Sequence, residues 1–579
     1  MDKEQEDKEL MPSENGQSLS PKVFVLALDG GTFDLLRPWM EVGAQGPAPL
    51  LPNLRALFRS GVHGELESTY PPLTGPAWAS FMTGKRPENH GLLEFFGREP
   101  NSYRQRLHSR LDIDGRSIWR VLSDHGKRVG VIGVPLTYPP EPVNGFLITG
   151  LLTPRTKVTF THPPELEHEL NQRLGRYLLQ HTEKYLQDDP SRLINEEWAI
   201  MNNKIDAALY LMDAKPWDFF MLHILGTDVL QHAFWHYFDP NHIEYNPNDK
   251  NIQKYGNVIL KFWRDLDKRL GEVFARLDEN TYVMVMSDHG FGPLRLYINF
   301  NIWLLREGFM HLKRDFRTRL RWLAFRLGFN YRNAVNISFK TGLARLIIRL
   351  GRAKQEEMQR KTFLSLDDVD WSRTTVYSMG NFGQMYVNLK GREPEGIVEP
   401  GAEYEAVLAK LEARLRALRD PYTGEPVVER IWRGSELYQG KYAHKAPDLF
   451  FFTRGMLYKA MGLSDFGSDT VFEHLYGTHA HHHMNGIFML KGPGIPQDVE
   501  ITGARLIDLA PTIYHLMGVP IPRDVDGQVL TQALGQAGQA APQYETSFVS
   551  GNGGEAEHVY TAEEEAALTE MLRDLGYVS

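Results

Sequence analysis

Carboxylates and imidazoles recur at one kind of place in this sequence, at the end of an apolar run. Asp29 closes "VFVLALDGG", Asp228 closes "DFFMLHILGTD", and Asp288-His289 closes "TYVMVMSDHG". His232 follows Asp228 by four residues, a spacing that puts both side chains on one face of a helix. A further cluster, His479, His481, His482 and His483 in "YGTHAHHHMNGIF", crowds the entry to the last apolar run. Singly each is ordinary, since an aspartate after a strand is commonly a helix cap and a histidine run is commonly solvated. Together they point to one crevice, because the carboxyl ends of the strands of a parallel sheet converge. Oxygen and imidazole donors without thiolate suit Zn²⁺, Mn²⁺ or a similar ion. The donors outnumber what one four-coordinate ion needs. Two ions about 4 Å apart would use them, one activating a nucleophile and the other holding a leaving or non-bridging oxygen.

A hydroxyl for that role stands in "PPLTGPAWASFMTGKRPENHGL", where Thr74 precedes Gly75-Pro76 at what reads as a helix start. Two readings stay open there. Thr74 is either an ordinary cap or a hydroxyl that a metal makes reactive toward phosphorus. A helix start would also turn backbone N–H groups and a positive dipole end toward a phosphate.

The elements that must position these groups follow from the pattern. Further apolar runs, "RVGVIGVP" and "NGIFMLKGPGI", alternate with helical spacings such as "NVILKFWRDLDKRLGEVFARL". The class expected is α/β, with a mostly parallel central sheet and helices on both faces. At 579 residues, 42% hydrophobic and 24% charged, the chain can build a large core with insertions or more than one core. A net charge of -9 argues against nucleic-acid binding. The absence of cysteine excludes disulfides, thiolate ligands and a cysteine nucleophile. Residues 1–20 read as a disordered polar tail, with no apolar leader, and no run of about 18 apolar residues follows, so a cytoplasmic protein is expected.

Residues 21–535 read as the catalytic domain, interrupted at 305–370 by a helical insertion. From Lys313 to Lys354 there are twelve Lys or Arg and one acid, Asp315, interleaved with Leu, Phe, Trp and Ile. Two basic amphipathic helices fit this pattern. They would be a solvated face packed on the body, a lid over an anionic substrate, or a peripheral contact with an anionic membrane. Residues 536–579 read as a Gly/Ala/Ser-rich linker and a short helix, capped by Thr561 with acids in its first turn.

The order Asp, Thr, Asp-x-x-x-His, Asp-His, His resembles the alkaline phosphatase superfamily, and most of all its type I phosphodiesterase / nucleotide pyrophosphatase branch. Thr74-Gly75-Pro76, Thr83-Gly84 and Pro87-Glu88-Asn89-His90-Gly91 stand at that branch's distances. The similarity runs from Val23 to about Leu530 and includes "DLAPTIYHLMGVPIPRDVDGQVL". The resemblance implies an alkaline-phosphatase-like fold and two divalent ions, Zn²⁺ ahead of Mn²⁺. One ion would sit on Asp228, His232 and His482, with His479 the alternative. The other would sit on Asp29, Asp288 and His289, with Thr74 between the two. It also implies hydrolysis of an anionic phosphoester, a diester ahead of a monoester, through a covalent phospho-threonine intermediate; phosphotransfer or mutase chemistry is the alternative. A sulfatase would need Cys/Ser-x-Pro-x-Arg where this chain has Leu-Thr-Gly-Pro-Ala. A non-catalytic relative would be expected to have lost a ligand, and every position is filled. Phe95 stands where nucleotide pyrophosphatases carry an asparagine that donates to a phosphate oxygen, which sets a nucleotide substrate in question. Gly75, Lys85 and Arg86 are then the expected phosphate-binding substitutes.

Overall fold

The computed structural model describes residues 21–41, 49–99, 101–180, 190–330, 333, 362–462, 466–546 and 558–577. The expected tail at 1–20, the second basic helix and residues 547–557 of the expected linker lie outside the described residues.

The run that ends in Asp29 forms strand β1 (Lys22–Leu28), with Val23 to Leu28 fully buried. Continuous apolar sequence is what a strand covered on both faces requires. β1 lies near the middle of a ten-stranded sheet. Its other strands are β2 (Val62–Glu67), β3 (Val129–Val134), β4 (Gly145–Thr149), β5 (Thr161–His162), β6 (Phe219–Ile224), β7 (Thr281–Met286), β10 (Asn485–Lys491), β11 (Val499–Glu500) and β12 (Ala504–Arg505). The order is β11-β2-β10-β7-β1-β6-β3-β4-β5, with β12 also on β2. β1 runs parallel to β6 and to β7, so Leu28, Ile224 and Met286 end at one edge. β10 is antiparallel to both β7 and β2. That reversal matters for the site: the start of β10, rather than its end, reaches the edge where β1, β6 and β7 finish. A two-stranded ribbon completes the edge, β8 (Gly290–Pro293) against β9 (Ala480–His483), with Phe291 opposite His482.

Helices α1 (Thr74–Thr83), α2 (Pro190–Ala214), α3 (Gly226–Phe238) and α4 (Val258–Phe274) flank the sheet. α4 shows why: Ile259, Phe262, Trp263, Leu266 and Leu270 recur at three- and four-residue spacing, and all are buried.

Between Leu296 and Val471 the chain builds a second hydrophobic core. Its centre is a four-stranded antiparallel sheet of Val376–Ser378, Gly383–Val387, Leu449–Thr453 and Val428–Arg433. The helical insertion was expected at 305–370; the sheet follows it, in a stretch for which no separate element was expected. Three- to six-residue strands, two of them reached only after long connections, leave too little alternation to be read. The described basic helix, α5 (Phe316–Arg326), is capped by Asp315, which accepts from the Thr318 amide. α6 (Ala562–Asp574) begins at Thr561 in a capping box with Glu564. It is no peripheral appendage, because Leu568, Met571 and Leu572 are buried in the main core. Among the described residues, no helix is long and apolar enough to cross a membrane.

Candidate metal centre

Thr74 is the first residue of α1, and Leu73 holds the cap position with no side-chain cap bond. Its Oγ1 instead lies 3.0 Å from Nε2 of His289. Thr74 is completely buried, as are Asp29, Asp228, Asp288, His289 and His482, and His232 is 2% exposed. The expected residues therefore meet at one place, at the strand edge just described.

The three carboxylates are arranged alike. Asp29 Oδ2 accepts from Trp78 Nε1 at 3.0 Å and lies 2.9 Å from His223 Nε2, while Oδ1 has no hydrogen-bond partner. Asp228 Oδ2 accepts from the Tyr577 hydroxyl at 2.6 Å, and its Oδ1 is unpartnered. Asp288 Oδ1 accepts from the Gly30 amide at 3.4 Å, and its Oδ2 is unpartnered. Each carboxylate is thus held by one oxygen and leaves the other bare in a buried site. Such an orphaned atom is costly without a partner.

The three imidazoles repeat the pattern. Nδ1 of His232 faces the Ala480 carbonyl at 2.7 Å, Nδ1 of His482 faces Pro72 O at 3.2 Å, and Nδ1 of His289 faces Gly290 O at 3.1 Å. A carbonyl only accepts, so each Nδ1 carries the proton and each Nε2 presents a lone pair. Nε2 of His232 and Nε2 of His482 then stand 3.0 Å apart. Nε2 of His482 is 3.3 Å from Asp228 Oδ1, and Nε2 of His289 is 3.1 Å from Asp288 Oδ2 and 3.6 Å from Asp29 Oδ1. Lone pairs crowded this closely repel one another unless a cation lies among them. Ligand histidines characteristically give their other N–H to a carbonyl in this way.

Electrostatics agree with the geometry. Burial holds His232 and His482 well below the usual imidazole range and His289 down to about 4, so all three are neutral donors. Burial, then the Asp29 charge, pushes the carboxyls of Asp228 and Asp288 well up. Dications would relieve that penalty. Three overlapping groups each bring ligand atoms within 4.8 Å of one another: His232, His481 and His482; Asp228, His289 and His482; and Asp29, Asp288 and His289.

Residues 23–465 match the family model of type I phosphodiesterase / nucleotide pyrophosphatase. This chain belongs to that family. It is therefore a phosphoester hydrolase by family. No curated protein matches the sequence. Among solved structures, phosphonoacetate hydrolase from Sinorhizobium meliloti 1021 in complex with phosphonoformate is 15% identical, with TM-score 0.51, covering 86% of this chain and 96% of that one. Human ectonucleotide pyrophosphatase / phosphodiesterase 5 is 13% identical, with TM-score 0.43 and coverage of 86% and 95%. An inactive form of the murine protein in complex with AMP is 12% identical, with TM-score 0.46 and the same coverage. At these identities the likeness is one of fold.

Several placements in this phosphodiesterase-family enzyme differ from expectation. His479, offered only as the alternative to His482, does not join the cluster; its Nδ1 pairs with Glu244 at 2.7 Å and its ring lies tilted against His236. His481, from the same histidine run, is 2% exposed and lies near His232 and His482 with both ring nitrogens unpartnered. Lys85 and Arg86 sit beyond the far end of ten-residue α1, about 15 Å of helix rise from Thr74. Lys85 Nζ is 2.6 Å from Asp524, and the Arg86 amide donates to Asp526. Their placement removes them as phosphate ligands beside Thr74. Gly75 does lie at the site, with the Phe95 ring so close that a Cβ there would meet it at 3.0 Å. Trp78, His223 and Tyr577 were missed. His223 leaves a trace in sequence, an imidazole inside the apolar run "FFMLHI"; Trp78 stands one turn after Thr74 on α1.

Proposed function

We propose that this enzyme hydrolyses an anionic phosphoester, diesters ahead of monoesters, by attack of Thr74 on phosphorus at a centre of two divalent ions, Zn²⁺ ahead of Mn²⁺. The observation that carries the reading is the cluster of bare carboxylate oxygens and Nε2 lone pairs that includes His289 Nε2, 3.0 Å from the Thr74 hydroxyl. Asp228, His232 and His482 would hold one ion and Asp29, Asp288 and His289 the other. Bound there, such ions supply positive charge to developing oxyanions and make a nearby hydroxyl more acidic.

The chain's own residues do the rest. Thr74 loses its hydroxyl proton and its Oγ forms a bond to phosphorus, while one ester alkoxide leaves with the electron pair of its P–O bond and takes up a proton to depart as the alcohol. Water then breaks the Oγ–P bond, which releases the phosphorylated product and restores the hydroxyl. Pro76 has no N–H, so the amides of Thr74 and Gly75 are the helix-start donors available to a phosphoryl oxygen. Trp78 and His223 hold Asp29 in place. Phe95 offers no hydrogen bond where a nucleotide pyrophosphatase has its asparagine, which favours a phosphoester other than a nucleotide. The test is release of nitrophenolate from bis-p-nitrophenyl phosphate and from p-nitrophenyl phosphate, with Zn²⁺ or Mn²⁺. A faster diester reaction that chelator stops is expected; a faster monoester reaction would reverse the order of substrates.

α5 bears on where the substrate resides. Phe316, Leu320 and Leu323 are exposed on α5, with exposed Leu327 just past its end, and the helix also carries Arg317, Arg319 and Arg326. Apolar residues amid arginines on one helix are the composition of a segment that lies in the headgroup layer of an anionic membrane. This favours a lipid-borne phosphoester over a freely soluble one. Sedimentation with phosphatidylserine vesicles, weakened by Leu320→Glu and Leu323→Glu, is expected. Equal partition of both forms would set the membrane reading aside.

A further inference from the structure

We infer that Tyr577 is a positioning residue of the metal centre, its hydroxyl fixing Asp228 so that the other carboxylate oxygen faces the ion. The inference rests on the two-ion reading. Tyr577 lies outside the residues matched by the family model, 23–465, and 349 positions from Asp228, yet its hydroxyl donates to Asp228 Oδ2 at 2.6 Å. It is completely buried. Its ring stands edge-on to His232 and His482, each 5.7 Å away, and to Phe95 at 5.6 Å. It thus touches four residues: Asp228, His232, His482 and Phe95.

The segment that brings it there is anchored along its length. The Tyr560 hydroxyl donates to Leu152 O, the Leu107 amide donates to Glu565, and α6 buries its apolar face in the main core. After α6 the chain turns at Gly576, with φ +87°. A Cβ at that position would meet Thr478 Oγ1 at 2.7 Å and the His232 ring at 3.4 Å, so only glycine lets the chain pass so close to a ligand. Two further side chains clamp the turn: Lys459 Nζ donates to Gly576 O at 2.7 Å, and Asn381 Nδ2 donates to Tyr577 O. Both lie in the stretch of chain, Leu296 to Val471, that builds the second core. The Tyr577 hydroxyl is therefore placed by contacts from both cores, and it serves Asp228 as Trp78 and His223 serve Asp29.

Partners of this kind govern how tightly a ligand holds its metal, with losses of about 10–100-fold when they are removed. The experiment is a stepwise Zn²⁺ titration of metal-free protein against a competing chromophoric chelator, for wild type, Tyr577→Phe and Gly576→Ala. Wild type is expected to take up two ions. Tyr577→Phe keeps the ring and is expected to weaken one binding step about 10–100-fold while the other stays at its wild-type value. Gly576→Ala, which displaces the tyrosine without removing a functional group, is expected to weaken the same step. Both steps unchanged in Tyr577→Phe, or both weakened alike, would overturn the inference and leave Tyr577 a packing residue. Fewer than two ions in wild type would overturn the two-ion reading itself, so the two failures are told apart.

Discussion

The Thr74 hydroxyl is directed at His289 Nε2, 3.0 Å away and 215 residues distant in sequence, and not at the amides of its own helix. A capping threonine occupies the cap position and accepts from an amide two or three residues on. Thr74 does neither, so its side chain belongs to the site. Replacing it by the near-isosteric valine should stop turnover while costing less stability than the loss of a true cap, about 1 kcal/mol. Urea unfolding alongside a diester assay checks this. A stability loss that tracks the activity loss would return Thr74 to a structural role.

Trp78 and His223 share one oxygen of Asp29. Trp78→Phe removes a donor and keeps most of the ring, so activity at limiting Zn²⁺ should fall about 10–100-fold and recover in large part at saturating Zn²⁺. A loss that no amount of metal restores would show that Trp78 acts elsewhere.

Buried carboxylates and facing imidazole lone pairs are a liability in the metal-free protein. Metal should therefore stabilise the fold, by about 2.7 kcal/mol per site when the free ion is at 100 times its dissociation constant. The check is the urea midpoint with Zn²⁺ and with chelator. Coincident midpoints would mean that no ion is bound by the native state.

Glu94 gives a pH dependence separate from the metal ligands. Burial pushes its carboxyl from 4.5 up to about 7, although the amides of Phe95 and Asn381 act to lower it. Between those values the native state holds a proton that the unfolded state has lost. Stability should therefore fall as pH rises from about 4.5 to 7 and stay level above, by about 3 kcal/mol in all. Neighbouring Lys459, lowered to about 8 by burial, acts in a different window above that pH. Glu94→Gln should flatten the decline between pH 5 and 7 in urea unfolding. An unchanged slope would assign the pH dependence to other groups.

The sheet and most of the site were legible because the relevant signals are local. Strands buried on both faces spell continuous apolar runs, and Asp29, Asp228 and Asp288 mark their ends. What could not be read were contacts set by tertiary approach. Nothing near Tyr577 in sequence announces Asp228, since the link depends on a turn at Gly576 and on clamps from Lys459 and Asn381. Lys85 and Arg86 misled for the opposite reason: they are near Thr74 in sequence, but a helix carries them to its other end. The choice of His482 over His479 depends on pairing, because β9 sets His482 opposite Phe291 at the edge while His479 turns toward Glu244.

The measurement closest to the central claim is mass analysis of enzyme quenched in acid during turnover of bis-p-nitrophenyl phosphate with Zn²⁺. Attack by Thr74 predicts a peptide containing Thr74 that carries one nitrophenyl phosphoryl group, absent with chelator and absent in Thr74→Val. A diester turned over at full rate by Thr74→Val, or an adduct found on another residue, would contradict it.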